Sequence, residues 1–356
     1  MFHPFSIRII VGAVTLMAFL GCGEASDTPL SQAVESAEPS KPSPELRTVK
    51  DPVQEEINQF VMDTRLAYNR RDFDELEAVA STIREKKALF DNGSWKLAHF
   101  YFSFACREDE PESMWQLHDE IHRAWIEAKP ESITARIAYA DFLVEYGWYA
   151  RGYDFASTVS PEGWKLLEER LTAARKVLDE SRSLPAKDPV WWAVALHIAR
   201  GQGWERADYD DLVAEAHAFE PTFWGYHVDR AYSLLPRWYG QPGDWEAYAE
   251  RAANDLQGVG AGVYARIILE LRGNYDNIFE DSNASWPKTR EGLRHLRETH
   301  PRSIGFTHVS ALLAAMAGDR EEAREMFDQI GDEYLKSIWR EPELFLAVKE
   351  WSLAAP

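Results

Sequence analysis

The chain has 356 residues, with 59 acidic side chains against 39 lysines and arginines, so its formal net charge is −20. This balance argues against a nucleic-acid-binding protein, because phosphate contacts need clustered basic residues. A hydrophobic content of 45% excludes a disordered protein, and two cysteines cannot form a disulfide framework.

The N-terminus predicts a lipoprotein signal peptide over residues 1–21. Residues 9–20 are uninterruptedly apolar or small, and this stretch is too short to span a membrane as a helix. Residues 19–22 (Phe-Leu-Gly-Cys) resemble a bacterial lipobox, although lipoboxes prefer Leu first and a small residue second. We expect Cys22 to carry lipid and to hold a cell-envelope protein on a membrane that it does not cross. The alternative is an ordinary cleaved signal peptide with an incidental cysteine.

Residues 22–51 predict a flexible tether between this lipid and the rest of the chain. The segment is rich in Ser, Glu, Ala and Pro and has few large apolar residues, so it buries too little surface to fold. A flexible chain of this length has a root-mean-square reach of about 30 Å. A lipid anchor followed by a polar tether is a coherent arrangement, which supports the lipobox interpretation.

Residues 52–356 predict an all-α domain of about fourteen helices. A capping residue stands before a proline at three predicted helix starts, at Asp51, Ser160 and Asp188. Apolar residues then recur at spacings of three and four, as they do along one face of a helix. No run of β-branched residues bounded by turns predicts a sheet, and the aromatic stretch at 99–104 lies within a helical pattern.

Several predicted helix pairs resemble tetratricopeptide hairpins. The C-terminal pair has small residues, a turn glycine and an aromatic residue at the spacing of that repeat: Ala311, Ala314, Gly318, Ala323 and Phe327. The period is irregular, because candidate terminal prolines at 130, 221 and 301 are not separated by multiples of 34. We therefore expect a degenerate, tetratricopeptide-like α-solenoid with irregular repeats.

Two further segments resemble a bacterial family of tetratricopeptide-like helical proteins that has no assigned activity. The first runs from Ala-Arg-Ile-Ala at 135–138 to Tyr-x-Trp-x-Ala-Arg-Gly at 146–152, and the second is Pro-Arg-Trp-Tyr-Gly-x-Pro-Gly-x-Trp at 236–245. The resemblance extends over roughly residues 60–327. It implies a helical fold and a secreted location, and it implies no catalytic residues.

Two pairs of polar residues have spacings found in enzymes. His118 and His122 lie at i and i+4, as in helical zinc sites, but Asp119 replaces the glutamate that a zinc protease needs. Asp141 and Glu145 share a predicted helix face and are the least arbitrary candidates for the carboxylate pair of a glycan hydrolase. In both cases we favour the structural alternative, namely two partly exposed histidines and an acidic pair that is either exposed or in contact with Arg136 or Arg151. We expect no metal, no cofactor and no catalytic residues.

Aromatic and arginine side chains within the two resembling segments are the candidate binding residues. They are Arg136, Asp141, Trp148 and Arg151 in the first segment, and Arg237, Trp238, Tyr239 and Trp245 in the second. For the second segment we favour a rigid corner in which Trp238 and Trp245 pack between hairpins. Core packing is the expectation for the remaining helical tryptophans, which are Trp115, Trp125, Trp164, Trp191 and Trp192. Cys106 is also expected in the core.

These observations predict a lipid-anchored cell-envelope scaffold that binds a protein or an extended peptide. Solenoids expose long surfaces suited to such partners, and the negative charge favours a neutral or basic one. The alternative is an envelope glycan-binding protein or hydrolase with a tryptophan-lined groove and paired carboxylates. The membrane contact is expected through the N-terminal lipid only, and no nucleic acid is expected as a partner.

Overall fold

The structure, a computed structural model, describes residues 46–152, 156–256 and 258–354. The described residues form sixteen α-helices and two short β-strands, so the predicted all-α class is confirmed. Cys22, the predicted signal peptide and the predicted tether up to residue 45 lie outside the described residues. Among the helices that are described, none is both long and apolar enough to cross a membrane.

The chain divides into two compact units, and the first comprises Glu56–Ser233. Its helices are α1 (Pro52–Asn69, whose first turn belongs to the second unit), α2 (Phe73–Glu85), α3 (Lys96–Phe102), α4 (Glu112–Ala128), α5 (Ile133–Arg151), α6 (Pro161–Ser181), α7 (Pro189–Gln202), α8 (Arg206–Phe219) and α9 (Gly225–Ser233), with a 3₁₀ turn at Ala156–Thr158. Most helices that are neighbours in sequence also pack against each other, and α7 additionally contacts α5 and α9.

The second unit comprises the described parts of Gly12–Glu55 and Leu234–Pro356. Its elements are β1 (Arg47–Val49), α10 (Asp244–Asp255), α11 (Gly260–Leu271), a 3₁₀ turn (Arg272–Asn274), α12 (Trp286–Thr299), α13 (Gly305–Met316), α14 (Arg320–Ile330), β2 (Glu333–Leu335), α15 (Lys336–Trp339) and α16 (Pro342–Leu353). Successive helices from α10 to α14 pack against each other, and α16 packs on α14.

The end of the predicted tether is part of the second unit, which corrects the boundary at residue 51. Strand β1 pairs in parallel with β2, with Thr48 opposite Tyr334, although the sequence pattern predicts no sheet. Asp51 then accepts hydrogen bonds from the Gly305 amide (2.8 Å) and the Ser303 hydroxyl (3.0 Å). The segment is ordered because long-range backbone and side-chain hydrogen bonds compensate for its lack of apolar residues.

The predicted helix starts are confirmed where a cap precedes a proline. The side chains of Asp51, Ser160 and Asp188 accept hydrogen bonds from backbone N–H groups in the first turns of α1, α6 and α7 at 2.9–3.0 Å. Each bond satisfies one of the backbone donors that have no partner within a helix. Such caps fix the first turn of a helix from local sequence alone, which explains why these starts were predictable.

Small residues allow the C-terminal helix pair to pack closely, as its sequence predicts. Ala311, Ala314 and Ala323 have no exposed surface, and Phe327 is also buried. Gly318 between α13 and α14 has a φ of +73°, a left-handed conformation that favours glycine. In the glycine-rich segment at 258–262 the first two residues form a turn, and α11 starts at Gly260.

Candidate functional site

A groove in the first unit is the candidate site in the described part of the chain. Its volume is about 490 Å³, and it lies where α7 packs against α6 on one side and α8 on the other. The floor consists of apolar side chains from the three helices: Leu178, Trp191, Ala195, Ile198 and Leu212. We call this feature the α6–α8 groove.

The end of α7 places Trp204 in the lining of this groove. Gly203 has a φ of +68° and ends the helix, and the Trp204 amide donates to the Ala199 carbonyl at 3.0 Å. These are the contacts of a Schellman motif, in which a left-handed glycine reverses the chain directly after a helix. The Trp204 indole nitrogen donates to Gln202 at 3.1 Å, which fixes the orientation of the half-buried ring.

The α6 wall carries two arginines that contact tryptophan rings and share one carboxylate. The Arg175 guanidinium lies 4.3 Å from the Trp204 ring centre, and that of Arg182 lies 4.5 Å from the Trp191 ring centre. Asp179, between them on the same helix face, lies 3.6 Å from Arg175 and 3.7 Å from Arg182. Cation–π contacts and a shared carboxylate therefore hold both arginines against the wall.

The α8 wall carries three carboxylates, and two of them are available to a ligand. Asp208, Asp211 and Glu215 line the groove on one face of the helix. Glu215 lies 3.6 Å from Arg182, whereas neither Asp208 nor Asp211 forms an ion pair with any described residue. The lining has four acids against two arginines, and the uncompensated negative charge is on the α8 wall.

His118 and His122 lie in an aromatic core and are not partly exposed, which corrects the expectation from sequence. His118 is 5% exposed and its Nδ1 lies 3.1 Å from the Phe104 carbonyl oxygen. His122 has no exposed surface, and neither ring nitrogen has a hydrogen-bond partner among the described residues. Rings of Tyr68 and Phe142 lie 5.2 and 5.0 Å from its own. Burial lowers the pKa of His122 well below its ordinary value, and His118 adds to this effect.

No group of three or more metal-ligating side chains occurs among the described residues. Within the described ranges, His118 and His122 therefore belong to no such group. Tyr139, on the facing helix α5, directs its hydroxyl to the Asp119 carboxylate at 2.9 Å. The His-Asp-Glu-Ile-His segment is thus held by aromatic packing on one side of α4 and by this hydrogen bond.

The candidate residues on α5 do not form one site. Trp148 is buried, and Arg151 lies above the rings of Trp148 (5.8 Å) and Trp164 (5.0 Å). Arg136 is half-buried near the start of the helix, where it donates to the Ser132 carbonyl, and Asp141 is half-buried in the middle. Trp164 is 42% exposed, so the expectation that it packs in the core is wrong. Its position in the first turn of α6 leaves one face of the ring to Arg151 and to solvent.

The second candidate segment lies in the other unit and divides into exposed and buried residues. Arg237 and Tyr239 are exposed and Trp238 is half-buried. Trp245 is 1% exposed and its indole nitrogen donates to the Tyr275 hydroxyl at 2.8 Å. Gly240 allows a close chain crossing, because a Cβ there would lie 1.7 Å from the Leu234 carbonyl oxygen. Of the two tryptophans expected to pack in this corner, Trp245 is buried and Trp238 is only half-buried.

The sequence pattern did not reveal Trp204 or the charged groove residues, which are Arg175, Asp179, Arg182, Asp208, Asp211 and Glu215. A signal was present, since Arg175 and Arg182, like Asp208 and Glu215, are seven residues apart and thus share a helix face. The two walls come to face each other because three helices pack together. The seven-residue spacing within each helix does not reveal this packing.

Comparison with protein-family models, curated proteins and solved structures finds no match for this chain.

Proposed function

We propose that this chain is a lipid-anchored cell-envelope protein that binds a polypeptide partner in the α6–α8 groove. The groove is the observation that carries the proposal. Its volume falls within the roughly 300–1,000 Å³ of specific ligand sites. The groove has an apolar floor between two charged walls. It therefore suits a polypeptide that directs apolar side chains to the floor and polar side chains to the walls.

The proposal includes a tetratricopeptide-like helical-repeat architecture. Support comes from the α13–α14 pair, in which the buried alanines, the turn glycine and Phe327 occupy the places that such a hairpin requires. Consecutive packing of α10 to α14 is also the connectivity of a repeat protein. The family resemblance of the 135–152 and 236–245 segments belongs to the same proposal.

The proposed anchor is the lipid on Cys22, followed by a tether that joins the folded chain near Leu46. The order of β1 and the hydrogen bonds of Asp51 support this arrangement, because they fix the point where the tether would end. The net charge of −20 disfavours direct adsorption to anionic lipid and is compatible with a neutral or basic partner.

The anchor is tested by incorporation of a labelled fatty acid in bacterial cells that express the chain. The native chain and the Cys106→Ala control are expected to take up label, since Cys106 is buried in the first unit. The Cys22→Ala variant is expected to take up none. Equal labelling of Cys22→Ala and native chain would refute the anchor.

The groove is tested by cross-linking the full chain in membranes and comparing a groove-filling variant with a matched control. Ala195→Phe places a ring in the groove floor, whereas Ala214→Phe adds the same ring to an exposed position of α8 outside it. We expect a polypeptide that cross-links to the native chain and the control to be lost with Ala195→Phe. Both variants must retain the native unfolding temperature. A cross-linked partner that all three chains retain would refute binding in the groove.

Glycan binding is the second candidate, and the half-buried indole of Trp204 beside four carboxylates favours it. Indole rings stack on sugars, and carboxylates accept hydrogen bonds from hydroxyl groups. Calorimetry with chitotetraose tests it directly. Binding that Ala195→Phe abolishes would establish this alternative in place of the peptide.

A further inference from the structure

We propose that the α6–α8 groove selects a short extended peptide segment that carries lysine or arginine, with Asp208 and Asp211 as the recognition residues. This inference rests on the proposed function and specifies the chemistry of its partner. The α8 wall faces the α6 wall across an apolar floor, so a bound segment contacts all three surfaces.

The first step concerns which charges remain for a ligand to neutralise. Arg175 and Arg182 each contact a tryptophan ring and Asp179, so an anionic ligand would have to displace existing contacts. Asp208 and Asp211 form no ion pair with a described residue, so a cationic ligand would not have to break one. The groove is therefore electrostatically complementary to a cation.

The second step concerns geometry along α8. Asp208 and Asp211 are separated by three residues, which places their Cα atoms roughly 5 Å apart along the helix axis and on one face. A single ammonium or guanidinium group between them can contact both carboxylates. The side chain of lysine or arginine also has an apolar stem that can lie along Leu212 and the Trp204 ring.

The third step concerns the size of the bound segment. An α-helix has a diameter of about 10 Å with its side chains and would need a longer, wider trough than a cavity of about 490 Å³. An extended segment alternates its side chains between two sides. It can direct apolar residues to the floor formed by Ala195 and Ile198 and basic residues to the α8 wall.

The test is fluorescence anisotropy with the full chain in detergent and two labelled nine-residue peptides. One peptide alternates leucine and lysine, and the other has glutamate in place of each lysine. We expect the lysine peptide to bind at least tenfold more tightly than the glutamate peptide. The double variant Asp208→Asn/Asp211→Asn should weaken its binding about tenfold at low salt, because each exposed ion pair contributes up to roughly fivefold.

The matched control removes the same charge outside the groove. Glu168→Gln/Glu180→Gln changes two exposed acids of α6 that do not line it, and should leave the Kd within twofold of native. Equal weakening by both double variants would overturn the inference, because the general field of an acidic protein would then explain the binding. Unfolding temperatures of all variants are compared with that of the native chain.

The outcomes also separate this inference from the proposed function. Suppose that Ala195→Phe abolishes binding of the lysine peptide and Asp208→Asn/Asp211→Asn does not weaken it. This result would support binding in the groove and refute the selection of a cation. Tighter binding of the glutamate peptide would also refute it. If chitotetraose binds in the groove and neither peptide does, both proposals fall.

Discussion

Asp188 and His122 are both completely buried in the first unit, yet their surroundings are opposite. The Asp188 carboxylate accepts hydrogen bonds from the Arg84 guanidinium (2.8 Å), the Tyr101 hydroxyl (2.9 Å) and the Val190 amide (2.9 Å). In the part of the chain that the structure describes, the two nitrogens of the His122 ring have no hydrogen-bond partner, and the ring packs among aromatic rings. The difference shows that this unit buries polar groups in two ways. A buried group with hydrogen-bond partners stabilises the fold, whereas one without partners destabilises it.

The Asp188 contacts connect four parts of the first unit. Arg84 is in α2, Tyr101 in α3, and Asp188 caps α7, while Arg84 also donates to the Thr134 hydroxyl of α5 at 2.7 Å. Burial alone would lower the pKa of Arg84, but Tyr101 and Asp188 raise it above its ordinary value. The arginine is thus held in its charged form, and removal of its counter-charge would leave a mostly buried charge unpaired.

The largest predicted effect is that of Asp188→Asn. Asparagine keeps the shape of the side chain but leaves Arg84 mostly buried without a counter-charge, so the free energy of unfolding should fall by about 3–5 kcal/mol. Urea unfolding of the full chain measures this loss.

The control is Glu77→Gln, because Glu77 accepts a hydrogen bond from the Trp125 indole (2.9 Å) and the amide oxygen of glutamine can do the same. We expect the control to cost less than about 1 kcal/mol. Similar losses in both variants would contradict the role of charge.

Acidification is predicted to destabilise the folded chain in the range between pH 6.5 and 4. Burial lowers the pKa values of His99, His227 and His308 to about 4, whereas an unfolded histidine titrates near its ordinary value of 6.5. The unfolded chain therefore binds more protons in this range. Stability is fully present above pH 6.5 and is lost as the pH falls towards 4.

At pH 5 each of these histidines should cost about 2 kcal/mol relative to pH 7. Urea unfolding at pH 7, 6 and 5 measures the slope, and His99→Gln should reduce it because one titrating group is removed. A free energy of unfolding that is constant over this range would contradict the buried neutral state of the histidines.

The smallest predicted effect is a gain from His122→Leu. Leucine has a similar volume and no polar atoms, so it removes the penalty of two buried nitrogens without partners and should stabilise the protein by about 1 kcal/mol at pH 7. The gain should be larger at pH 5, because burial lowers the pKa of His122 well below its ordinary value. The unfolded chain therefore binds a proton at this position as the pH falls and the folded chain does not, a loss of stability that leucine removes. The control His295→Leu changes a half-buried histidine of α12 and should give no such gain. A loss of stability in His122→Leu would show that the ring stacking outweighs the desolvation of its nitrogens.

The helices were predictable because their signals are local. The caps at Ser160 and Asp188 and the turn at Gly318 depend on the conformations of a few successive residues. Strand β1 was not predictable, since three residues at 47–49 become a strand only when Glu333–Leu335 lies beside them. Trp164 also shows this limit, because a tryptophan in an amphipathic pattern is buried only if another helix covers its face.

The groove illustrates the same division between local and tertiary information. The sequence by itself determined that α6, α7 and α8 are helices and which residues share a face of each, because helical periodicity fixes both. Packing of α7 against α6 and α8 decided that Trp191, Ala195 and Ile198 form a floor, and that Asp208 and Asp211 face the stacked arginines. Helices can pack in several registers at similar cost, and only the sum of many weak side-chain contacts selects one.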